Sequence, residues 1–150
     1  MRIGVISDTH GKVLPEVRDA FKGVSLILHA GDVGGDEVIG ELETIARVVA
    51  VRGNVDVDLA PPLFPDTRRF TLEGVDIFLC HQPEHAVNLS PAPQLIIHGH
   101  THHARNEVLE GVRWFNPGSA GKPKKAGEYT VGILTLENGM ARGEIIALRK

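Results

Sequence analysis

The chain has 150 residues, 42% hydrophobic and 23% charged, ordinary proportions for a globular protein, and one domain over residues 1–150 is expected. A formal charge of −3 offers no global attraction to nucleic acid or an acidic membrane, and no segment approaches the roughly 20 apolar residues of a membrane span. Cys80 is the sole cysteine, so no intramolecular disulfide can form, and the apolar run near the amino terminus stops at Asp8 and His10; a cytoplasmic location is expected.

Residues Ile3 to Ser7 read as a short buried strand, apolar, β-branched and followed by polar turn residues. Val17, Ala20, Phe21 and Val24 then recur at helical spacing, punctuated by Pro15 and Gly23. Leu26 to His29 make a second strand, Val38, Leu42 and Ile45 a second helical face, and Val48 to Val51 a third strand. This βαβαβ opening predicts a parallel sheet with helices against it. Asp58 to Asp66, with Pro61, Pro62 and Pro65, reads as a loop. Beyond it strands dominate, over Arg68 to Leu72, Asp76 to Cys80, Gln94 to Gly99, Arg105 to Leu109, Val112 to Phe115, Tyr129 to Leu136 and Ala141 to Leu148. Glu110-Gly111 and Asn138-Gly139 read as hairpin turns, and Gln82 to Pro93 has room for about one helical turn.

Five polar clusters follow five of these strands. Asp8 and His10 follow IGVIS, Asp32 follows LILHAG, Asn54 follows VVAVRG, His81 follows DIFLC, and His100 and His102 follow QLIIHG. Loops at the carboxyl ends of parallel strands gather on one rim, where ligands bind. Two Asp, one Asn and four His supply seven oxygen and nitrogen donors, enough for two divalent ions sharing a carboxylate. Mixed carboxylate and imidazole donors suit Zn, Mn, Fe, Co or Ni better than Mg or Ca. Glycines at 31, 53 and 99 permit tight bends that aim the next residue at a common point. Two ions about 3.5–4 Å apart would hold a hydroxide and neutralise a phosphoryl group under attack.

The ordered series DTHG, GDV, GNVD, H and GHTH, followed by NPGS, resembles the calcineurin-like metallophosphoesterases, and most nearly their small YfcE-like phosphodiesterase branch. The resemblance implies an α/β (α+β) fold, a two-sheet β-sandwich flanked by helices with a dimetal centre at the strand ends. Carried over position by position, it implies that Asp8, His10 and His102 hold one ion, that Asn54, His81 and His100 hold the other, and that Asp32 bridges them. It also implies catalytic parts for Asp32, Asn54 and His100, with Asn54 touching a phosphate oxygen while a hydroxide between the ions attacks in line. The substrate class implied is a small or nucleotide-like phosphoester, with manganese or another transition metal (Ni, Zn, Fe) as cofactor. A non-catalytic scaffold of the Vps29 type shares the fold and is the alternative.

Two motifs depart from the family's common form. Many members carry histidine after Asn54, where it is thought to protonate the leaving group; Val55 here cannot. The general acid is then open between Asp56, His103 and a metal-bound water, and preference for esters whose leaving group needs little protonation is expected. The common HGH of the fourth motif is His81-Gln82-Pro83.

The remaining candidates have plainer readings. His29 is expected to be hydrogen-bonded inside, His98 to pack or support a ligand, His85 to sit on the surface of the proline-rich loop, and Cys80 to face away from the rim. The basic loop Gly121 to Lys125 reads as a solvated turn or, through Lys122, as a phosphate contact, and His103 likewise as solvated or substrate-binding. Trp114 and Phe115 read as core, and Asn116 as a buttress of the rim. No strong nucleic-acid signal is present.

Overall fold

The computed structural model describes residues 1–56, 64–124 and 128–149. The proline-rich segment expected as a loop therefore lies partly outside the described residues, as does Lys125 of the basic loop.

The chain opens with β1 (Arg2–Ile6), α1 (Glu16–Ala20), β2 (Leu26–His29), α2 (Asp36–Glu43) and β3 (Val48–Ala50). β2 lies between β1 and β3 and pairs with both in parallel, as alternating helices and apolar strands demand. β4 (Thr67–Leu72), β5 (Val75–Cys80), β6 (Leu95–Ile97), β7 (Arg105–Leu109) and β8 (Val112–Asn116) form a second sheet in the order β4-β5-β6-β8-β7. The last hairpin, β9 (Thr130–Glu137) and β10 (Met140–Ala147), returns to the first sheet, whose order is β10-β9-β1-β2-β3. Both sheets are mixed: the parallel strands β1, β2 and β3 run to one edge of the first, and β5, β6 and β8 form the parallel centre of the second.

The helical periodicity marks the right faces, but both helices are shorter than the pattern. α1 stops at Ala20 and α2 at Glu43, and single turns carry the chain on, with Phe21 N–H bonded to Val17 O and Ile45 N–H to Leu42 O. Val17, Phe21, Val38 and Leu42 are buried against Ile6, Ile27, Val131 and Ile133 on the outer face of the first sheet. Between the sheets, Ile3, Val5, Leu28 and Leu134 meet Ile77, Leu79, Ile97 and Phe115, most of them fully buried. Burial of such side chains contributes about 1.5–3 kcal/mol each, so both this inner layer and the helix-covered face contribute heavily to stability. The outer face of the second sheet carries, among the described residues, a satellite cluster, Phe78, Cys80, Ala86 and Ile96, under a 3-10 turn at Pro83–Ala86, and Leu89, Val112 and Trp114 pack on it. The layers thus run helices, sheet, sheet. Because β1, β2 and β3 of one sheet and β5, β6 and β8 of the other are runs of parallel strands, their carboxyl ends bring six loops to a shared rim.

Candidate metal centre

The rim loops are stitched together by backbone before any side chain is considered. Asp8 N–H bonds Gly31 O at 3.0 Å and His10 N–H bonds Asp32 O at 3.0 Å, joining the loops after β1 and β2. Gly99 N–H bonds His81 O at 3.0 Å, joining those after β5 and β6. Asp8, His10, Asp32, His100 and His102 all adopt left-handed backbone, with φ between 48° and 73°. Asp and His tolerate this region better than bulky or branched residues, and its concentration here marks a site held in shape by its surroundings.

The side chains converge. Asp8 Oδ1 lies 3.2 Å from His102 Nε2 and 4.0 Å from His10 Nε2. Asp32 Oδ2 lies 3.6 Å from His10 Nε2 on one side and 3.3 Å from His81 Nε2 on the other. His81 Nε2 in turn lies 3.3 Å from His100 Nδ1. The donor atoms of Asp8, His10, Asp32 and His102 all fall within 4.8 Å of one another. Asn54 is exposed at the mouth, where it lines a cavity of about 370 Å³ together with His81.

Four of the donors are aimed by a bond to their other atom. Asp8 Oδ2 accepts the Ser7 hydroxyl at 2.7 Å and the His100 N–H at 3.2 Å, which leaves Oδ1 inward. Asp32 Oδ1 accepts Val55 N–H at 3.1 Å, leaving Oδ2. His81 and His102 donate from Nδ1 to the carbonyls of Ala30 and Lys122, at 2.8 and 2.5 Å, so their Nε2 atoms face the centre. Orienting bonds of this kind are what metal-binding imidazoles require.

The electrostatics fit a cation. Asp8 Oδ1 and His10 Nε2 are buried and, among the described residues, lack any hydrogen-bond partner. An unmatched buried polar atom costs about 1–3 kcal/mol, and an ion between the two would satisfy both. Burial raises the Asp8 carboxyl above its usual range against the pull of Ser7, His81 and His102, and burial lowers His10. Asp32 also suffers burial, but the His81 bond and charge, the Val55 N–H and His10 hold it down at about 2. Burial opposes charge on His81 as well, yet the bond to Asp32 and the charges of Asp8 and Asp32 raise it. Oxygen and imidazole nitrogen together are a borderline donor set, matched to a transition ion rather than to Mg or Ca.

The other candidates fall around this centre. Lys122 is exposed, and its charge is felt at His10. His103 is exposed on the turn closed by Thr101, and is not among the residues lining the cavities beside the centre. Asp56 is buried and accepts three backbone N–H groups, from Val33 and Gly34 at 3.0 Å and Gly53 at 2.8 Å. Its carboxylate is committed to clamping the β2 and β3 loops together, which takes it off the list of free proton donors. Nothing in the sequence marks that role apart from an Asp two residues beyond Asn54. His98 donates from Nδ1 to Gly99 O at 3.0 Å, and Asn116 Nδ2 donates to the same carbonyl at 3.2 Å, so both brace the turn carrying His100 and His102. Cys80 lies in the satellite cluster, its thiol pushed up to about 12 by burial. Phe115 is core, and Trp114 is half-buried beneath the Arg105 guanidinium, 4.6 Å from the ring centroid.

Comparison with known proteins agrees with this geometry. The family model of the calcineurin-like phosphoesterase superfamily domain matches residues 1–139. A protein of Methanothermobacter thermautotrophicus named a probable metallophosphoesterase is 36% identical, over 97% of this chain and 92% of its own. The solved structure of an archaeal phosphodiesterase superposes with a TM-score of 0.77 at 28% identity, covering 97% of this chain and 100% of that one. Wild-type Vps29 of Entamoeba histolytica, solved with zinc, superposes with a TM-score of 0.74 over 99% of this chain and 100% of that one, but at 19% identity that likeness shows the fold alone. With a family model spanning nearly its whole length and the acidic and imidazole donors of the motifs drawn into one rim, the chain belongs to the calcineurin-like phosphoesterase superfamily and is a phosphoric ester hydrolase.

Proposed function

We propose that the protein is a phosphodiesterase acting on a small or nucleotide-like phosphodiester with two divalent ions at the rim, one held by Asp8, His10 and His102, the other by Asn54, His81 and His100, and Asp32 shared between them. The observation that carries this reading is the pair of buried, unpartnered atoms, Asp8 Oδ1 and His10 Nε2, facing each other beside Asp32 and His102. Bound there, the ions would polarise the phosphoryl group and lower the pKa of water toward neutrality. Asp32 Oδ2, with His10 on one side and His81 on the other, suits the shared position. The Asn54 side-chain amide, at the open mouth beside His81, would donate to a phosphoryl oxygen and hold the ester in register for in-line displacement. Lys122 would add positive charge on the His102 side and draw in the anion; His103 is a second, outer contact.

Protein loaded with Mn²⁺ should hydrolyse bis-p-nitrophenyl phosphate, and Asp32→Ala and His100→Ala should each lower the rate by about 10³-fold or more, the scale of electrostatic stabilisation lost at such centres. Retention of the full rate in either variant, or an inactive wild-type protein with Mn²⁺, Ni²⁺, Zn²⁺ and Fe²⁺ alike, would overturn the reading.

A further inference from the structure

Val55 removes the imidazole that would serve the leaving group, and the structure offers a replacement from another loop. Two cavities flank the centre. The one that Val55 lines, of about 500 Å³, also holds Asp36 and Glu37, whose negative charges oppose an anionic ester. The other, about 370 Å³, is shared by Asn54, His81 and His85.

Elimination narrows the proton sources in that second cavity. Arg52 is ion-paired with Asp66 at 2.9 Å, and a guanidinium gives up no proton in any case. Asp56 is bound by three backbone amides. Asn54 and Gln82 do not titrate, and His81 is turned to the centre. His85 remains: its ring is exposed, and no hydrogen bond or ion pair to it is found among the described residues. Its backbone is nonetheless fixed. His85 N–H bonds Gln82 O at 3.1 Å, the Cys80 thiol bonds the same carbonyl at 3.3 Å, and Ala86 is buried in the satellite cluster. The 3-10 turn follows β5 and His81 directly, and His85 lines the same cavity as His81 and Asn54. Histidine is the side-chain type best suited to carry a transferable proton near neutrality.

We propose that His85 donates the proton that neutralises the leaving oxygen of the ester. The proposal rests on the phosphodiesterase reading above. As the oxygen of a water bonds to phosphorus and that water gives up a proton to solvent, the bond from phosphorus to the leaving oxygen breaks, its electron pair stays on that oxygen, and the His85 ring N–H transfers its proton there. Solvent then reprotonates the exposed ring. With His85 as donor, the preference expected for esters whose leaving group needs little protonation would weaken, and poorer leaving groups would come within reach.

The test compares leaving groups of different acidity in the Mn²⁺-loaded protein. His85→Ala, whose exposed side chain removes no packing, should lower kcat a few-fold for bis-p-nitrophenyl phosphate. For diphenyl phosphate, whose phenolate is a much poorer leaving group, it should lower kcat by about 10² or more, within the span of general-acid effects. His85→Gln should behave alike, and free imidazole should restore part of the diphenyl phosphate rate in His85→Ala. In the Zn²⁺-loaded wild-type protein, the ring ¹⁵N resonances of His85 should move on titration with inorganic phosphate. An equal factor for both esters, no loss at all, or unmoved resonances would overturn the proposal while leaving the phosphodiesterase reading standing. A wild-type protein that cleaves neither ester removes that reading and this one with it.

Discussion

His29 illustrates how much a single buried ring can dictate. The Thr9 hydroxyl donates to Val33 O at 2.7 Å, so its lone pair receives His29 Nε2–H at 3.0 Å, while His29 Nδ1 accepts Gly31 N–H at 3.1 Å. Both bonds require the neutral, Nε2-protonated ring, and burial pushes its pKa down to about 3. The folded-state value lies below the unfolded one near 6.5, so the stability this implies is complete above pH 6.5. As pH falls from 6.5 toward 3, the unfolded chain takes up a proton that the folded protein refuses, costing about 1.4 kcal/mol per pH unit. Urea unfolding of metal-free protein should show stability declining between pH 6.5 and 4.5, and His29→Gln, which can keep a donor and an acceptor, should flatten the decline. Equal slopes would refute the account. The interior hydrogen bonding of His29 and the convergence of Asp8, His10, Asp32 and His102 were legible because each ends or follows a recognisable strand. Asp56 and His85 were not, since their significance lies in what they meet across the rim, a distance no local pattern encodes.

Among the elements, strand placement was legible nearly to the residue: Arg105 to Leu109 coincides with β7, and most other strands differ by one or two positions at an end. Both expected hairpin turns are present, with Glu110-Gly111 and Asn138-Gly139 at positive φ throughout. A third, Glu73-Gly74 between β4 and β5, has the same signature and lay between strands read with a wider gap. β6 is the exception. Only Leu95 to Ile97 pair as strand, because His98 onward bends to deliver the ligand candidates. Gly99 makes that bend possible for a reason other than φ: a Cβ there would overlap the Ser7 hydroxyl and lie 2.8 Å from Asp8 Oδ2. Gly99→Ala should therefore destabilise the protein by about 1–3 kcal/mol, the usual range for overpacking. It should also lower bound metal, read by urea midpoint and elemental analysis; a variant with native midpoint and metal content would show the contact to be harmless.

For the molecule as a whole, the parallel opening could be read from alternating helix and strand patterns, but the partition of strands between two sheets could not. β9 pairs with β1, more than a hundred residues earlier in sequence, and carries β10 on its other edge, and that choice is made by the two inner faces burying each other. The same closure gathers the rim, so cation binding and global stability are linked. An ion that binds only the folded chain adds about 2.7 kcal/mol at a concentration 100 times its Kd. For a domain of this size that is a rise in Tm of about 5–10 °C. Thermal unfolding should shift upward by this order with Mn²⁺ or Zn²⁺, reverse with EDTA, and be reduced in Asp8→Asn; an unaltered midpoint at millimolar ion would contradict the linkage.

One buried carboxylate settles how the protein meets its ions. With Asp56 gripping three backbone amides from two loops, the cradle is gathered by the chain's own hydrogen bonds. Swapping one divalent ion for another should then resemble changing the stone in a finished setting: quick, reversible, and with no reshaping of the main chain around it.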